Sequence, residues 1–301
     1  MPPASLPIVM TFSACDPTGG AGMQADLMTI ASLGCHPASI VTGITVQDTA
    51  GVDEFVPIDA DHVDDQARTI LEDMRVAAFK IGVLGDVETV AAVAEIVSDY
   101  PDIPVILDPV LASGRGDAFA DDDTLLAIRE LLIPQTTLIT PNSFEARRLA
   151  ATGDESDDES DEAREARAMD KPIISLAAAA ALLIGWGATW VLITGTHENT
   201  SDVVNTLYGE REGATAWIRA DAWPRLQGSY HGSGCTLAAA IAAFLASGST
   251  LEDAVREAQD YTWQTLKAAF RPGMGQFIPD RFFWAREPGR GPRLYGNARS
   301  A

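Results

Sequence analysis

Apolar, β-branched segments alternate with segments of helical periodicity along most of this chain. This alternation is typical of a parallel sheet whose strands are connected by helices. Buried strands are predicted at residues 7–13, 39–47, 77–83, 105–107, 137–140 and 189–194. Helices are predicted at residues 20–33, 60–74, 87–100, 123–132, 143–150, 173–185, 235–247 and 251–270. Residues 203–208 and 214–220 predict an antiparallel pair of strands. The sequence therefore predicts an α/β fold with a central, mostly parallel sheet flanked by helices on both faces.

The chain has 301 residues and is 47% hydrophobic, which is enough to bury one large core. We expect residues 1–285 to form a single domain. Within it, the acidic segment at about residues 153–171 is predicted to be a solvated loop, because like charges repel one another. Residues 286–301, rich in Gly, Pro and Arg, are predicted to be a flexible tail.

Composition argues against several classes of partner. The formal net charge of −22 disfavours binding to nucleic acid or to an anionic membrane, since both need clustered Lys and Arg. The apolar stretch at residues 173–184 is too short to cross a bilayer, and no basic region precedes the N-terminal apolar run. Three widely spaced cysteines suggest neither a disulfide framework nor a zinc site. We therefore expect a cytoplasmic protein that binds small molecules.

Polar side chains stand where three predicted strands end: Asp16, Asp108 and Asn142. Ligands of open α/β sheets bind at the carboxyl ends of the strands. These positions are candidates for a binding site.

Two glycine-rich turns open predicted helices. Residues 231–237 read His-Gly-Ser-Gly-Cys-Thr-Leu, and such a turn exposes backbone N–H groups that can bind an anion. Residues 16–26 read Asp-Pro-Thr-Gly-Gly-Ala-Gly-Met-Gln-Ala-Asp and match neither a P-loop nor a dinucleotide fingerprint. Taken alone, the first could be an ordinary helix start and the second a tight turn between strand and helix.

Further segments join these turns in a recognisable order: Val-Gln-Asp-Thr at 46–49, Lys-Ile-Gly at 80–82, Leu-Asp-Pro-Val at 107–110 and Ile-Thr-Pro-Asn at 139–142, with Glu145. Together, over about residues 6–272, they resemble the hydroxymethylpyrimidine/phosphomethylpyrimidine kinases, a branch of the ribokinase superfamily. The resemblance implies a ribokinase-like fold, with ATP as phosphoryl donor and Mg²⁺ as cofactor. It also implies that a thiamine precursor, 4-amino-5-hydroxymethyl-2-methylpyrimidine, is phosphorylated twice. Relatives are often dimers, so a homodimer is one option.

On the substrate side, the resemblance assigns Gln47 to the aminopyrimidine, since an amide offers both a donor and an acceptor. It assigns Asp16 and the Gly19, Gly20 and Gly22 turn to the wall of the substrate pocket. Val83 stands where relatives often have a methionine lining that pocket. Read without the resemblance, Gln47 is a solvent-facing turn residue.

On the phosphate side, the resemblance assigns Mg²⁺ and its waters to Asp108 and Glu145, which could otherwise be a strand-end cap and a helix-face carboxylate. The anion hole is assigned to Gly232, Ser233 and Gly234. Cys235 stands where many sugar kinases have an aspartate base. At a helix N-terminus we expect its thiolate to be favoured, although it could be a passive small residue.

On the nucleotide side, the resemblance assigns Asn142. Thr194 and Gly195 occupy a stretch in which many relatives have Lys-Gly-Gly-His, so a lysine that would face phosphate is absent. Arg115 could supply that charge if its loop folds over the triphosphate.

Two alternatives to the pyrimidine kinase remain. Pyridoxal (pyridoxine) kinase activity is one, because vitamin B6 is also a six-membered heterocycle with a hydroxymethyl arm. A catalytically weak pyrimidine-binding protein is the other, suggested by the absent lysine.

Overall fold

The computed structural model describes residues 6–112, 119–151, 174–211 and 214–286. Their strands form one nine-stranded sheet in the order β3-β2-β1-β4-β5-β6-β7-β8-β9. The strands are β1 Ile8–Cys15, β2 His36–Gln47, β3 Val52–Pro57, β4 Val76–Ile81, β5 Val105–Leu107, β6 Leu138–Ile139, β7 Trp190–Ile193, β8 Asp202–Arg211 and β9 Ala214–Pro224. The six central strands, in sheet order β2, β1, β4, β5, β6 and β7, pair in parallel. Strand β3 at one edge and strands β8 and β9 at the other are antiparallel.

The helices are α1 Gly22–Ser32, α2 Ala60–Asp73, α3 Val87–Ser98, α4 Asp122–Ala127, α5 Ser143–Ala151, α6 Leu176–Gly185, α7 Ser233–Ala246 and α8 Leu251–Lys267. α4 continues through one π-helical turn, Ile128–Leu132, and one 3₁₀ turn, Ile133–Gln135. Within the described ranges, no helix combines the length and apolar character that crossing a bilayer requires.

Helices cover both faces of the sheet, because successive side chains of a buried strand point to opposite faces. In β4, for example, Phe79 belongs to the hydrophobic cluster that includes side chains of α2 to α6, and Ala78 belongs to the cluster that includes side chains of α1, α7 and α8. Helix α7 is the most deeply buried, with its side chains from Thr236 to Phe244 inside the core. The predicted α/β fold is therefore confirmed.

The sequence prediction missed β3, ended β1, β8 and β9 too early, began β2 too late, and extended several helices by one to three residues. The acidic segment and the tail beyond Arg286 lie outside the described residues, so the predicted domain boundaries stay predictions.

Candidate active site

A cleft of about 460 Å³ opens at the carboxyl ends of the parallel strands. Most of the residues that the sequence singled out line it: Asp16, Gly22, Gln47, Val83, Asp108, Asn142, Glu145, Thr194, Gly232, Ser233, Gly234 and Cys235. Strand ends, which are far apart in sequence, meet here because the strands run parallel.

Three of the assigned residues that the structure describes do not line this cleft. Gly19 and Gly20 lie behind it, where their carbonyl oxygens accept hydrogen bonds from Arg281. Gly195 packs against β8, and its N–H donates to Asn205 Oδ1 at 3.0 Å. These three glycines thus support the site from behind, and their assignment to ligand contact stays a prediction. Arg115 lies outside the described residues.

The N-terminus of α7 faces the cleft. Gly232 precedes the helix with φ +83°, and a Cβ at this position would collide with the carbonyl oxygen of Gly20. Only glycine fits both demands. The N–H groups of the first helical turn have no carbonyl within the helix to bind. With the helix dipole they form an electropositive end suited to phosphate.

The turn between β1 and α1 is held together by the carboxylate of Asp16. This carboxylate accepts hydrogen bonds from Thr18 N at 2.8 Å, from Ala21 N at 2.7 Å and from the Thr18 hydroxyl at 3.0 Å. Burial alone would raise the pKa of Asp16, but hydrogen bonds from His231, Thr18 and Ala21 lower it to about 2. Asp16 therefore orders the pocket wall, and its oxygens are already engaged.

His231 connects this turn to Gln47. Its Nε2 lies 2.8 Å from Asp16 Oδ2 and 3.3 Å from the Gln47 amide nitrogen. Asp16 is ionised and can only accept, so Nε2 carries the proton. Because this proton is donated to Asp16, Nε2 has no lone pair left to accept a hydrogen bond from the Gln47 NH₂ group, and the Gln47 oxygen is the better neighbour for it. We therefore orient the Gln47 amide with its oxygen towards His231 and its NH₂ group towards the cleft.

A fully buried ion pair lies below the α7 N-terminus. Lys80 Nζ is 2.9 Å from Asp26 Oδ2, which also accepts hydrogen bonds from the hydroxyls of Thr11 and Ser13, each at 2.6 Å. Burial would lower the pKa of Lys80, but the Asp26 carboxylate raises it well above its usual value. Lys80 thus stays protonated and brings a positive charge close to Asp108 and Cys235.

Asp108 and Glu145 form the acidic side of the cleft. Burial raises the pKa of Asp108, and the Lys80 charge opposes that rise. Glu145 Oε2 accepts from Asn142 N at 2.8 Å, while Asn142 Oδ1 accepts from Glu145 N at 2.9 Å, so the two residues form a capping box at the start of α5. Burial, and then the nearby Asp108 carboxyl, raise the pKa of Glu145 to about 8.

Cys235 lies in the first turn of α7, but its thiolate is not favoured there. Burial raises the pKa of the Cys235 thiol to about 12; Lys80 lowers it, whereas Asp108 and Asp26 add to the rise. The expectation of a thiolate is wrong for this structure, because burial and two carboxyls outweigh one cation and the helix dipole. The assignment of Cys235 as catalytic stays a prediction.

Sequence reasoning assigned no role to His231, Lys80, Asp26 or Arg281. The first three stand inside the segments that carried the resemblance, so their position there was an available signal. Arg281 follows the last of those segments, and nothing in the sequence pointed to it.

Comparisons with solved structures give the class of protein. Pyridoxal kinase from Staphylococcus aureus in complex with ADP is similar with a TM-score of 0.76 and 26% identity, covering 94% of this chain and 96% of that one. Phosphomethylpyrimidine kinase from Clostridium difficile is similar with a TM-score of 0.68 and 25% identity, covering 86% and 99%. The fold is that of the ribokinase-like kinases.

Comparisons of sequence are more specific. The family model described as phosphomethylpyrimidine kinase matches residues 16–280. The hydroxymethylpyrimidine/phosphomethylpyrimidine kinase of Streptomyces coelicolor is 38% identical over 275 residues, which is 91% of this chain and 94% of that protein. The chain therefore belongs to the phosphomethylpyrimidine kinase family, and the expectation of a phosphotransferase is confirmed.

Proposed function

We propose that this protein transfers the γ-phosphoryl group of ATP to the hydroxymethyl oxygen of 4-amino-5-hydroxymethyl-2-methylpyrimidine. It then phosphorylates the resulting monophosphate to the diphosphate, in thiamine biosynthesis. One observation carries the proposal: a single cleft brings the amide of Gln47 together with the open N-terminus of α7. The relatives named hydroxymethylpyrimidine/phosphomethylpyrimidine kinase support it.

The pyrimidine end of the cleft is proposed to lie at Gln47 and Val83. The NH₂ group of the Gln47 amide can donate a hydrogen bond to a ring nitrogen. The amide oxygen has a second lone pair, which can accept a hydrogen bond from the exocyclic amine. His231 and Asp16 fix this orientation before the substrate arrives. A preorganised amide loses less conformational entropy on binding.

The phosphoryl end is proposed to lie at Gly232, Ser233 and Gly234. Phosphoryl transfer depends mostly on positioning and on stabilising charge, which fixed N–H donors supply. The hydroxymethyl oxygen forms a bond to the γ-phosphorus as the bond to the bridging oxygen of ADP breaks, and the hydroxyl proton is released. Asn142 and Thr194 are proposed to contact the nucleotide.

Asp108 and Glu145 are proposed to hold Mg²⁺, and the residues present fit such an ion. Asp108 Oδ2 is buried and has no hydrogen-bond partner among the described residues. The described residues contain no ready-made cluster of three or more ligands, which suits Mg²⁺, since it is commonly bound by one or two carboxylates together with phosphate oxygens and water. When bound, the ion would neutralise charge that develops on the triphosphate.

Cys235 remains our candidate for the residue beside the accepting oxygen. The second phosphorylation needs no base there, because a phosphate monoester with a pKa near 6 is largely ionised at neutral pH. A base in the first step would require the thiol pKa to fall from about 12 when the substrates bind.

A second candidate function is pyridoxal kinase activity, favoured by the similarity to the Staphylococcus aureus pyridoxal kinase. The Gln47 amide argues for the aminopyrimidine, which matches its donor and acceptor at the same time. The pyridoxal kinase of Staphylococcus aureus is 26% identical to this chain, whereas the pyrimidine kinase of Streptomyces coelicolor is 38% identical.

A homodimer is proposed as the assembly, and a cytoplasmic location stays a prediction. Ile44, Val46 and Val56 on the edge pair β2–β3 are between 38% and 50% exposed, so they offer an apolar surface for a second copy. Light scattering after gel filtration measures the mass directly.

The decisive experiment offers the hydroxymethylpyrimidine, its monophosphate and pyridoxal in parallel, with ATP and Mg²⁺. ADP release is measured for each, and the products are identified by mass. We expect the highest kcat/KM for the pyrimidine and clear formation of its diphosphate. An Asp108→Asn variant serves as the inactive control. A higher kcat/KM for pyridoxal, or no ADP release with either pyrimidine, would refute the proposal.

A further inference from the structure

Arg281 is a buried guanidinium without an anionic partner in the described part of the chain. It is 2% exposed, although it follows the last long helix and precedes the C-terminal segment. Its Nε donates to Thr236 Oγ1 at 3.1 Å, its Nη1 donates to Gly19 O at 3.2 Å, and its Nη2 donates to Gly20 O. All three acceptors are neutral oxygens. No carboxylate of the described residues pairs with it directly, although those of Asp26 and Asp16 act on its charge from farther away.

Such a group is costly to bury. A desolvated cation is normally paired with a carboxylate, because its lost hydration is not recovered from neutral acceptors alone. Burial lowers the pKa of Arg281, yet a guanidinium keeps its proton in proteins. A buried cation without a carboxylate partner is expected where the fixed positive charge contributes to binding or catalysis.

The charge stands directly behind two turns that border the cleft, one of which carries the proposed phosphoryl end. Gly19 and Gly20 belong to the β1–α1 turn, and Thr236 belongs to the first turn of α7. The Thr236 hydroxyl donates onward to Gly232 O at 2.8 Å. Arg281 therefore ties both turns together from the side opposite the cleft. It also holds two carbonyl oxygens whose partial negative charge would otherwise weaken an anion site.

Lys80 and Arg225 also bring positive charge to the cleft. Lys80 is paired with Asp26. Arg225, at the cleft mouth, donates to the backbone carbonyls of residues 196, 198 and 200, but it is exposed, so water and salt screen its charge. On the acidic side stand the carboxyls of Asp108 and Glu145. A polyanionic nucleotide entering this cleft gains from a buried cation that no carboxylate contacts directly.

We propose that Arg281 is a positioning residue for phosphoryl transfer, whose buried charge strengthens anion binding at the N-terminus of α7 without touching the anion. This inference rests on the proposed kinase function only in that the cleft binds a phosphoryl group. It does not depend on which alcohol is phosphorylated.

The test compares Arg281→Lys, which keeps the charge, with Arg281→Met, which removes it at similar volume. Arg286→Met is the matched control, because Arg286 lies five residues on, is largely exposed and pairs with Asp280. Binding of ADP is measured by calorimetry, and inorganic phosphate is tested as its competitor, both without any pyrimidine. Melting temperature, kcat and the pyrimidine KM are measured on the same preparations.

Because one buried positive charge that acts through space is lost, Arg281→Met should weaken ADP binding by roughly tenfold. The competition by inorganic phosphate and kcat should fall with it, whereas the pyrimidine KM should change little. Arg281→Lys should retain most of the ADP and phosphate affinity, and Arg286→Met should resemble the wild type.

Equal losses of anion affinity in Arg281→Lys and Arg281→Met would overturn the inference, and so would a lowered melting temperature with unchanged anion affinity. If Arg281→Met does not fold, Arg281→Lys is compared with Arg281→Gln instead. Both variants keep a hydrogen-bond donor, and only Arg281→Lys keeps the charge. If the protein phosphorylates neither pyrimidine, the ADP and phosphate measurements still test Arg281. The two proposals can therefore fail separately.

Discussion

Lys80→Met removes the cation of the fully buried Lys80–Asp26 pair while nearly preserving side-chain volume. Asp26 would then keep only the hydroxyl donors of Thr11 and Ser13 at 2.6 Å, and its other oxygen already has no partner among the described residues. Removing one partner of a buried pair typically costs about 3–5 kcal/mol, because it leaves an uncompensated charge. A domain has only about 5–15 kcal/mol of stability in total. We therefore expect a large fall in the free energy of unfolding at pH 7.

The double variant Lys80→Met/Asp26→Asn should recover much of this loss, since it removes the stranded charge and keeps an acceptor for the two hydroxyls. Lys267→Met is the matched control. Lys267 is exposed at the end of α8, where its Nζ lies 5.1 Å from the centre of the Trp263 ring. Its loss should cost only about 0.5–1 kcal/mol, the usual contribution of an exposed cation–π contact.

Urea unfolding followed by tryptophan fluorescence measures the wild type, Lys80→Met, Asp26→Asn, the double variant and the Lys267→Met control, using the six tryptophans of the chain. The coupling energy comes from the double-mutant cycle. A loss below about 1 kcal/mol in Lys80→Met would fall within the range of exposed pairs and refute the reasoning. A double variant that loses the sum of both single losses would refute it equally, because the two charges would then be independent.

Three further predictions concern the cleft. Gln47→Ala should raise the pyrimidine KM by a factor that corresponds to about 1–3 kcal/mol and leave the ATP KM nearly unchanged; Gln66→Ala, on α2, is the control, and equal damage to both substrates would contradict the assignment. Asp16→Asn should cost about 1–2 kcal/mol at pH 7, because the depressed pKa of about 2 gives stability that is present above pH 4 and lost as pH falls through 2. The difference in urea stability from wild type should shrink towards pH 2, and a constant difference would argue against this account. Cys235→Ala should lower both phosphorylation rates slightly and to a similar extent, because the thiol is protonated; a loss confined to the first step would show that the thiolate forms when substrates bind.

Much of the fold was predictable because buried parallel strands carry β-branched residues on both faces. β3 escaped prediction because Val52–Pro57 is a mostly exposed edge strand that includes two acidic residues. The helix predicted at 123–132 ends as an α-helix at Ala127 and continues as a π turn. Apolar spacing does not reveal this change in hydrogen bonding, since both forms place the same side chains near the core.

The site was predictable where a local motif dictates geometry, as in the glycine turn before α7. It was not predictable where function depends on partners distant in sequence. Asp16 and His231 are 215 residues apart, and only the folded chain reveals that the Asp16 carboxylate accepts a hydrogen bond from the His231 imidazole. The prediction of a Cys235 thiolate failed for the same reason, because the charged groups that set its pKa, Lys80, Asp108 and Asp26, come from distant parts of the chain.

The contact between Gly20 and Gly232, reinforced by Arg281, also has a consequence for how the protein matures. Arg281 and Gly20 are 261 residues apart, so the proposed phosphate-binding face forms only after the segment around Arg281 has been synthesised and has packed against the β1–α1 turn. Closing so long a loop is entropically costly compared with forming neighbouring strands. No N-terminal fragment that stops before α7 can bind a nucleotide at this face, even if most of its sheet has formed. Nucleotide binding therefore reports on completion of the fold, and a bound nucleotide stabilises the closure of the two chain ends against local opening.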